Sequence, residues 1–136
     1  MRAQLIPKTT TRVEEATASH VNERIHRDML LAVDSYRDAD EPRIRLRLDE
    51  LEREWDIERT LEANAATVIL ATLALGKTVN KKWYLFPAVV AAFLLQHAVQ
   101  GWCPPMPAFR RLGVRTAREI EEEKQALLTI LQDRGA

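Results

Sequence analysis

Cys103 is the first residue whose chemistry has to be considered, because it is the only cysteine in the sequence. A partly exposed thiol can relay sulfur or sense redox state, since exposure favours the reactive thiolate. The alternative is that Cys103 is a small packing residue. With no second cysteine, the sequence excludes an intramolecular disulfide framework and a multi-cysteine metal site.

Five polar residues form a second candidate site. They lie in two largely uncharged segments, residues 61–79 and 83–102, which we expect to pair as antiparallel helices with a turn near Lys81. Residues equally far from the turn then lie at the same depth. Polar side chains enclosed by hydrocarbon are costly unless paired, so this cluster either relays protons or ions or fixes the register of the hairpin or a dimer contact. Its predicted members are Glu62, Asn64, Gln96, His97 and Gln100.

Patterns typical of catalytic, cofactor or metal sites are missing. There is no glycine-rich phosphate loop, and the histidines do not stand at metal-ligand spacing with carboxylates. Ser19 and Ser35 lie on a charged segment without a convincing base. We therefore predict no catalytic residue, no cofactor and no metal, and a protein that is not an enzyme.

The overall composition narrows the class of protein. A chain of 136 residues has room for one unit, and its 20 basic and 20 acidic residues cancel. No summed charge favours nucleic acid as a partner. The slightly negative mean hydropathy averages two uncharged stretches with two highly charged flanks.

The second uncharged stretch carries a membrane prediction. Residues 83–109 contain no Asp, Glu, Lys or Arg, and about 20 residues of helix span about 30 Å, the thickness of a bilayer core. Trp83 and Tyr84 at one end and Trp102 at the other are placed as interfacial anchors. The first stretch, residues 61–79, spans roughly 28 Å as a helix and is expected to pair with it.

The alternative is a soluble bundle in which these two helices form the buried core. A soluble bundle should carry charged residues on the outer face of every helix, and neither segment has such a face. We therefore predict an all-α fold with a two-helix transmembrane hairpin, residues 61–103, flanked by amphipathic N-terminal helices and a C-terminal helix.

The N-terminal flank is expected to have two parts. Residues 1–12 are a polar, flexible tail without the apolar run of a secretory signal. Residues 13–60 form amphipathic charged helices, one of them spanning residues 20–36. A further helix has Pro42 in its first turn and is expected to continue without a break into the hairpin, because residues 52–66 contain no Gly or Pro.

The C-terminal flank, residues 104–136, begins with a proline-rich turn. Its prolines cannot continue the second membrane helix. Thr116 and Glu119 have the spacing of a capping box, which predicts a last amphipathic helix over residues 117–133.

Three motifs resemble a bacterial family, the YgaP-like inner-membrane transmembrane domain. Members have two membrane helices, the second ending in a Gly-aromatic-Cys-Pro motif, and no assigned biochemical function. In the namesake this domain follows a rhodanese sulfur-transferase domain, for which this chain has no room, so sulfur transfer is not implied. The resemblance covers roughly residues 54–118. Its motifs are Glu54-Trp55-Asp56-Ile57-Glu58-Arg59, Gly101-Trp102-Cys103-Pro104-Pro105 and Arg110-Arg111-Leu112-Gly113-Val114-Arg115-Thr116.

The charges near the hairpin predict its orientation. Both termini lie on one side of a two-span protein, and that side carries more basic residues than the turn, which favours the cytoplasm. Arginines after the hairpin could also contact anionic headgroups, although ordinary topology charges are the simpler interpretation. The residues concerned are Arg47, Arg53, Arg59, Arg110, Arg111, Arg115 and Arg118 on the side of the termini, and Lys77, Lys81 and Lys82 at the turn.

Two functional hypotheses follow. The first is a structural or interaction module of the bacterial inner membrane that contacts lipid, self-associates and presents its amphipathic helices to a cytoplasmic protein partner. A dimer through Ala88 and Ala92 is one arrangement, because small residues permit close helix approach. The second is an accessory to thiol or sulfur chemistry, or to small-solute passage, that uses Cys103 and the polar cluster.

Overall fold

The computed structural model describes residues 6–135, and this part of the chain is all-α, as predicted. Its helices in chain order are α1 (Arg12–Glu15), α2 (Ser19–Ser35), α3 (Glu41–Arg53), α4 (Ile57–Thr78), α5 (Leu85–Gln100), α6 (Met106–Arg111) and α7 (Ala117–Gly135), with a 3₁₀ turn at Lys81–Tyr84 between α4 and α5. Of the tail predicted for residues 1–12, residues 1–5 lie outside the described range and Arg12 opens α1.

Helices α4 and α5 form a hairpin, and the turn between them is closely packed. The side chain of Asn80 accepts a hydrogen bond of 2.9 Å from the backbone N–H of Lys82, which fixes the start of the 3₁₀ turn. The Tyr84 ring lies over Gly76, where an added Cβ would stand 2.7 Å from ring carbons. A glycine is therefore needed where the ring crosses α4.

The other end of α5 is set by Gly101. Its φ of 79° is left-handed, the conformation that commonly ends a helix at glycine, and its N–H bonds to the carbonyl of His97 at 2.8 Å. A Cβ at this position would lie 2.5 Å from the backbone of Arg12. The second helix thus ends at Gln100, before Trp102 and before the prolines.

A break separates α3 from α4, so the prediction of a helix continuing from Pro42 into the hairpin is wrong. Glu54 has extended backbone, and the Asp56 carboxylate caps α4 by accepting from the N–H of Arg59 at 2.8 Å. The N–H of Ile57 donates to the carbonyl of Arg115 at 2.7 Å. The break is stabilised by an aspartate cap and by a distant segment, neither of which depends on Gly or Pro.

The helices outside the hairpin, α1–α3, α6 and α7, pack together into what we call the charged domain. Helix α7 lies against α2 and α3. Each of its two apolar clusters combines residues from before and after the hairpin, which ties both flanks into one unit. One cluster contains Val13, Ile57, Leu61, Cys103 and Met106, and the other Ala39, Ile44, Leu51, Ile120 and Leu127.

Helices α2 and α7 of the charged domain are present at nearly the expected bounds. The buried face of α2 consists of Val21, Ile25, Met29 and Val33, at the spacing read from the sequence. The capping box is confirmed, since Thr116 N–H donates to Glu119 at 2.8 Å and Glu119 N–H to the Thr116 hydroxyl at 3.2 Å. The proline-rich segment also contains α6, with Pro107 in its first turn, where a proline needs no N–H partner.

Candidate functional site

His97 and Glu58 meet where the hairpin joins the charged domain. The Nε2 atom of His97 lies 2.9 Å from a carboxylate oxygen of Glu58, and the His97 side chain is only 3% exposed. The other Glu58 oxygen accepts from the Arg12 guanidinium at 3.0 Å. The contact with His97 holds the pKa of the Glu58 carboxyl below its usual range; partial burial opposes this effect, and Arg12 adds to it.

Cys103 is buried beside this pair. Its thiol is a neighbour of the His97 ring. The Nδ1 atom of His97 is buried, and within residues 6–135 it forms no hydrogen bond to the thiol or to any other group. Because Nε2 is occupied by Glu58, Nδ1 is the ring nitrogen that remains for the thiol. At the base of the hairpin, the Cys103 thiol, the His97 imidazole and the Glu58 carboxylate thus lie side by side.

An apolar cavity of about 260 Å³ lies between α4 and α5 on the far side of Cys103. The Cys103-Pro104-Pro105 segment contributes to its lining, and Asn64 is the one amide side chain there. The aliphatic and aromatic part of the lining comes from both helices of the hairpin: Leu61, Ala65, Val68, Val89, Val90, Phe93 and Leu94.

This arrangement can support nucleophilic chemistry in a dry setting. A histidine beside a cysteine can take the thiol proton, and a carboxylate on the other ring nitrogen holds the ring in position. The surrounding groups are apolar, so a reacting group that enters from the cavity has to be apolar too.

The predicted polar cluster is only partly assembled, and the partner expected for His97 is wrong. Glu62 is exposed and Asn64 half-buried, and neither side chain forms a hydrogen bond among the described residues. Gln96 donates to Gln100 on its own helix at 3.4 Å. The carboxylate that reaches His97 is Glu58, one helical turn earlier than Glu62.

The 3₁₀ turn accounts for part of this shift in register. A 3₁₀ segment rises about 2.0 Å per residue, compared with about 1.5 Å in an α-helix. Over its four residues, His97 is carried about 2 Å farther from the turn than a count along two α-helices predicts, which is part of the distance from Glu62 to Glu58. The capped start of α4 at Asp56 was the sequence signal that could have drawn attention to Glu58.

Two of the four arginines considered as topology charges or headgroup contacts are buried, so headgroup contact, the less favoured alternative, is wrong for these two. Arg110 is fully buried in ion pairs and hydrogen bonds, and Arg115 is 8% exposed. Arg111 is exposed, and exposed Arg118 pairs with Glu14 at 3.4 Å. Only Arg111 and Arg118 are placed to reach a surface.

Arg110 is the centre of a buried polar network that sequence reasoning missed. Its guanidinium pairs with both carboxylate oxygens of Glu119, at 2.5 and 3.1 Å, and donates to Asn22 at 2.9 Å. It also donates to the Thr17 hydroxyl at 3.2 Å and the Val114 carbonyl at 3.1 Å. Every donor of the guanidinium faces an acceptor, which a charge this deeply buried requires.

A second group of ions extends this network toward α3. Arg115 pairs with Glu54 at 2.5 Å and with the fully buried Glu123 at 2.9 Å. Arg47 donates to both oxygens of Glu123, each at 3.1 Å. The charged domain is thus organised around paired ions as much as around its two apolar clusters.

The hairpin presents apolar side chains outward. By length and composition, Lys81–Gln100 is the one helical stretch within the described residues that could cross a membrane, and 6% of its residues are buried. Leu85 is 68% and Leu95 67% exposed. Helix α4 is less uniform, with Glu62 and Lys77 near its two ends.

The predicted interfacial anchors and turn charges lie at the expected ends of the hairpin. Trp83 is half-buried and stacks on Phe86 with ring centroids 5.2 Å apart, and Tyr84 is exposed. Trp102 is half-buried and packs against the Val13 cluster. Lys81 and Lys82 are exposed at the turn.

Within the described residues, no group of three or more metal-ligating side chains could hold a metal ion. No protein-family model, curated protein or solved structure matches this chain. The resemblance to the YgaP-like transmembrane domain therefore stays a prediction.

Proposed function

We propose that this chain is an integral protein of the bacterial inner membrane, in which the α4–α5 hairpin anchors the charged domain and associates with further copies. The observation that carries the proposal is the stretch Lys81–Gln100, which is long enough to cross a bilayer and whose apolar side chains are exposed or half-buried, with only 6% of the stretch buried. In water, such a surface would be an aggregation hazard. In a bilayer, lipid tails would contact these apolar side chains, and no further protein surface would be needed to bury them.

A second crossing by α4 is supported by the packing of the charged domain. Helices α2 and α3 precede the hairpin, α7 follows it, and they pack against each other. A single crossing would put α7 on the opposite side of the bilayer from α2. The chain has to return to the side it left, and α4 is the segment that can make the other crossing.

The orientation with both termini in the cytoplasm rests on the distribution of basic residues. Arg53, Arg59 and Arg111 are on the side of the charged domain, while Lys81 and Lys82 lie at the turn. Self-association through α5 is supported by exposed Ala88 and Ala92, which allow close approach of a second helix. The amphipathic helices of the charged domain then face the cytoplasm and its proteins.

Two exposed leucines provide the test of membrane insertion. An arginine in a membrane helix costs up to about 2.5–3.5 kcal/mol of insertion free energy at the centre and less toward either end, but little on a wet surface. Leu95→Arg should reduce the fraction of protein that resists extraction from membranes by alkaline carbonate. Leu30→Arg, at an exposed leucine of α2, is the matched control and should leave that fraction unchanged. Release of the unaltered protein by carbonate would refute the proposal.

The orientation can be tested by labelling single cysteines in a Cys103→Ser background. Lys81 and Asp38 are both exposed, one at the turn and the other in the charged domain. In intact cells, a membrane-impermeant maleimide should label Lys81→Cys and should reach Asp38→Cys only after lysis. Labelling of both variants before lysis would contradict the orientation.

A further inference from the structure

We propose that Cys103 is an S-acylation site, at which a long-chain acyl group from an acyl-coenzyme A thioester is transferred to the thiol and held in the cavity between α4 and α5. This inference goes beyond anchoring. It depends on the cavity and on the groups behind it, and its test in detergent does not require the protein to span a membrane.

The cavity is suited to an alkyl chain. It has a volume of about 260 Å³, and Cys103 forms part of its wall. An apolar cavity of about 150 Å³ is enough to bind benzene, so this one can hold the first part of an alkyl chain. Val68, Val90 and Phe93 offer only apolar contacts. The remainder of the chain would extend along the exposed apolar surface of the hairpin.

The groups behind Cys103 are those that a thiol needs to act as a nucleophile. His97 is 3% exposed, its Nδ1 has no hydrogen-bond partner within the described residues, and the Cys103 thiol is a neighbour of the ring. A buried basic nitrogen without a partner is costly unless it serves a neighbouring group. Glu58 touches neither the thiol nor the cavity, and it acts as a positioning residue by holding Nε2.

Asn64 supplies a donor on the wall of the same cavity. Its side chain forms no hydrogen bond within residues 6–135, although it is half-buried. An amide group in the wall of an apolar cavity can turn its N–H toward a carbonyl oxygen on which negative charge develops during acyl transfer. A thiol, a base and such a donor are the parts that acyl transfer uses.

Other thiol chemistry fits the cavity less well. A disulfide would need a second cysteine, and the chain has one. A metal would need further ligands, and no such group exists in the described part of the chain. An apolar acyl thioester needs neither an oxidant nor a metal.

The transfer step balances without a change of oxidation state. The thiol proton passes to His97, and the Cys103 sulfur attacks the carbonyl carbon of the acyl-coenzyme A. The carbon–sulfur bond of the donor breaks, and the departing coenzyme A thiolate takes the proton from His97. The products are a thioester on Cys103 and free coenzyme A.

The test uses the purified full chain in detergent micelles with palmitoyl-coenzyme A, followed by intact mass spectrometry. The mass should rise by one palmitoyl group that neutral hydroxylamine removes, and Cys103→Ser should show no increase. His97→Gln should slow the transfer by about 100-fold, the lower end of what general base catalysis contributes. Cys103→Ser combined with Arg111→Cys moves the thiol out of the cavity and should react at the slow rate.

A second pair of variants tests the cavity. Val90→Phe fills the cavity and should lower the ratio of palmitoyl to acetyl transfer by about 10-fold, an amount typical of steric discrimination in apolar pockets. Leu95→Phe, on the exposed face of α5, should leave the ratio unchanged. Glu58→Gln keeps a hydrogen-bonding side chain but removes the charge, and should move the pH at which the transfer rate is half-maximal.

Several outcomes would overturn the acylation site. These are no adduct on the unaltered protein, equal rates at Cys103 and at the Arg111→Cys thiol, or equal chain-length ratios for Val90→Phe and Leu95→Phe. If circular dichroism shows that His97→Gln does not fold, the comparison of Val90→Phe with Leu95→Phe tests the acylation site instead. Failure of the proposed membrane anchoring would show in a different experiment, as release of the protein from membranes by alkaline carbonate. The acylation assay in detergent does not depend on that result.

Discussion

His97 and Glu58 are 39 positions apart in the sequence, yet Nε2 of His97 lies 2.9 Å from the Glu58 carboxylate and joins the last turn of α5 to the first turn of α4. At the opposite end of the hairpin, the Tyr84 ring packs over Gly76. The two helices are thus fixed to each other at both ends, and the base of the hairpin is held by a polar contact where the charged domain begins.

Replacement of Glu58 should weaken the protein more than replacement of Glu62. Glu58→Ala leaves His97 buried without its partner, which costs about 1–3 kcal/mol of unfolding free energy. Glu62 is exposed, and Glu62→Ala should change the stability by less than about 0.5 kcal/mol. Thermal or denaturant unfolding in detergent measures the stability of both variants. Equal effects of the two variants would mean that the contact does not hold the hairpin base.

Neighbouring arginines should differ sharply in their effect on stability. Arg110→Met leaves Glu119 as a poorly compensated charge and should cost about 3–5 kcal/mol. Arg111 is exposed, and Arg111→Met should stay within about 0.5 kcal/mol. Denaturant unfolding followed by circular dichroism distinguishes the two. A stable Arg110→Met protein would show that the network around Arg110 contributes little to the fold.

The charged domain should lose stability in acid through Glu119. Burial acts to raise the pKa of Glu119, but the hydrogen bond from Arg110 and that from the Thr116 N–H outweigh it, and the pKa lies below the usual 4.5. A carboxyl whose folded pKa is lowered stabilises the fold above its unfolded pKa. That contribution is lost as the pH falls through the folded pKa.

Glu119→Gln isolates this charge, because glutamine can still complete the capping box. The variant should be less stable near neutral pH, and its stability should decrease less steeply between about pH 5 and 3. Unfolding free energies measured across this range provide the comparison. Parallel pH profiles for the two proteins would assign the acid sensitivity to other carboxyls.

Two glycines with left-handed backbone should respond differently to alanine. A Cβ at Gly113 would stand in open space, so Gly113→Ala should cost only the backbone strain, about 1–2 kcal/mol. At Gly101 the same strain is joined by contact with the Arg12 backbone at 2.5 Å. Gly101→Ala should therefore be clearly less stable than Gly113→Ala, and equal melting temperatures would contradict the close approach of α1.

Local patterns predicted the elements well. The apolar spacing of α2, the capping box of Thr116 and Glu119, and the second uncharged stretch each depend on residues a few positions apart. Such signals are carried by the chain itself and need no knowledge of how distant segments pack. Cys103 and His97 were also recognised as candidates from their type and place.

The partners of the buried charged and polar residues could not be predicted from the sequence. Arg110 meets Asn22, 88 positions away, and Arg115 meets Glu54, 61 positions away. In a chain with so many charges, each arginine has many acidic residues that could serve as a partner, and only the packing of α2, α3 and α7 selects one. The sequence likewise did not show which carboxylate of α4 reaches His97: the partner is Glu58, one helical turn before the predicted Glu62.

The bond between Arg110 and Asn22 also bears on the order of events during synthesis. Asn22 leaves the ribosome before the hairpin, and Arg110 leaves it after the hairpin. Part of the surface of α2 therefore stays exposed while α4 and α5 are synthesised. In a membrane, only a chain that has crossed and come back can bring the two residues together. Completion of the network would then act as a proofreading step, because a chain inserted with a single crossing would keep an open, protease-sensitive α2.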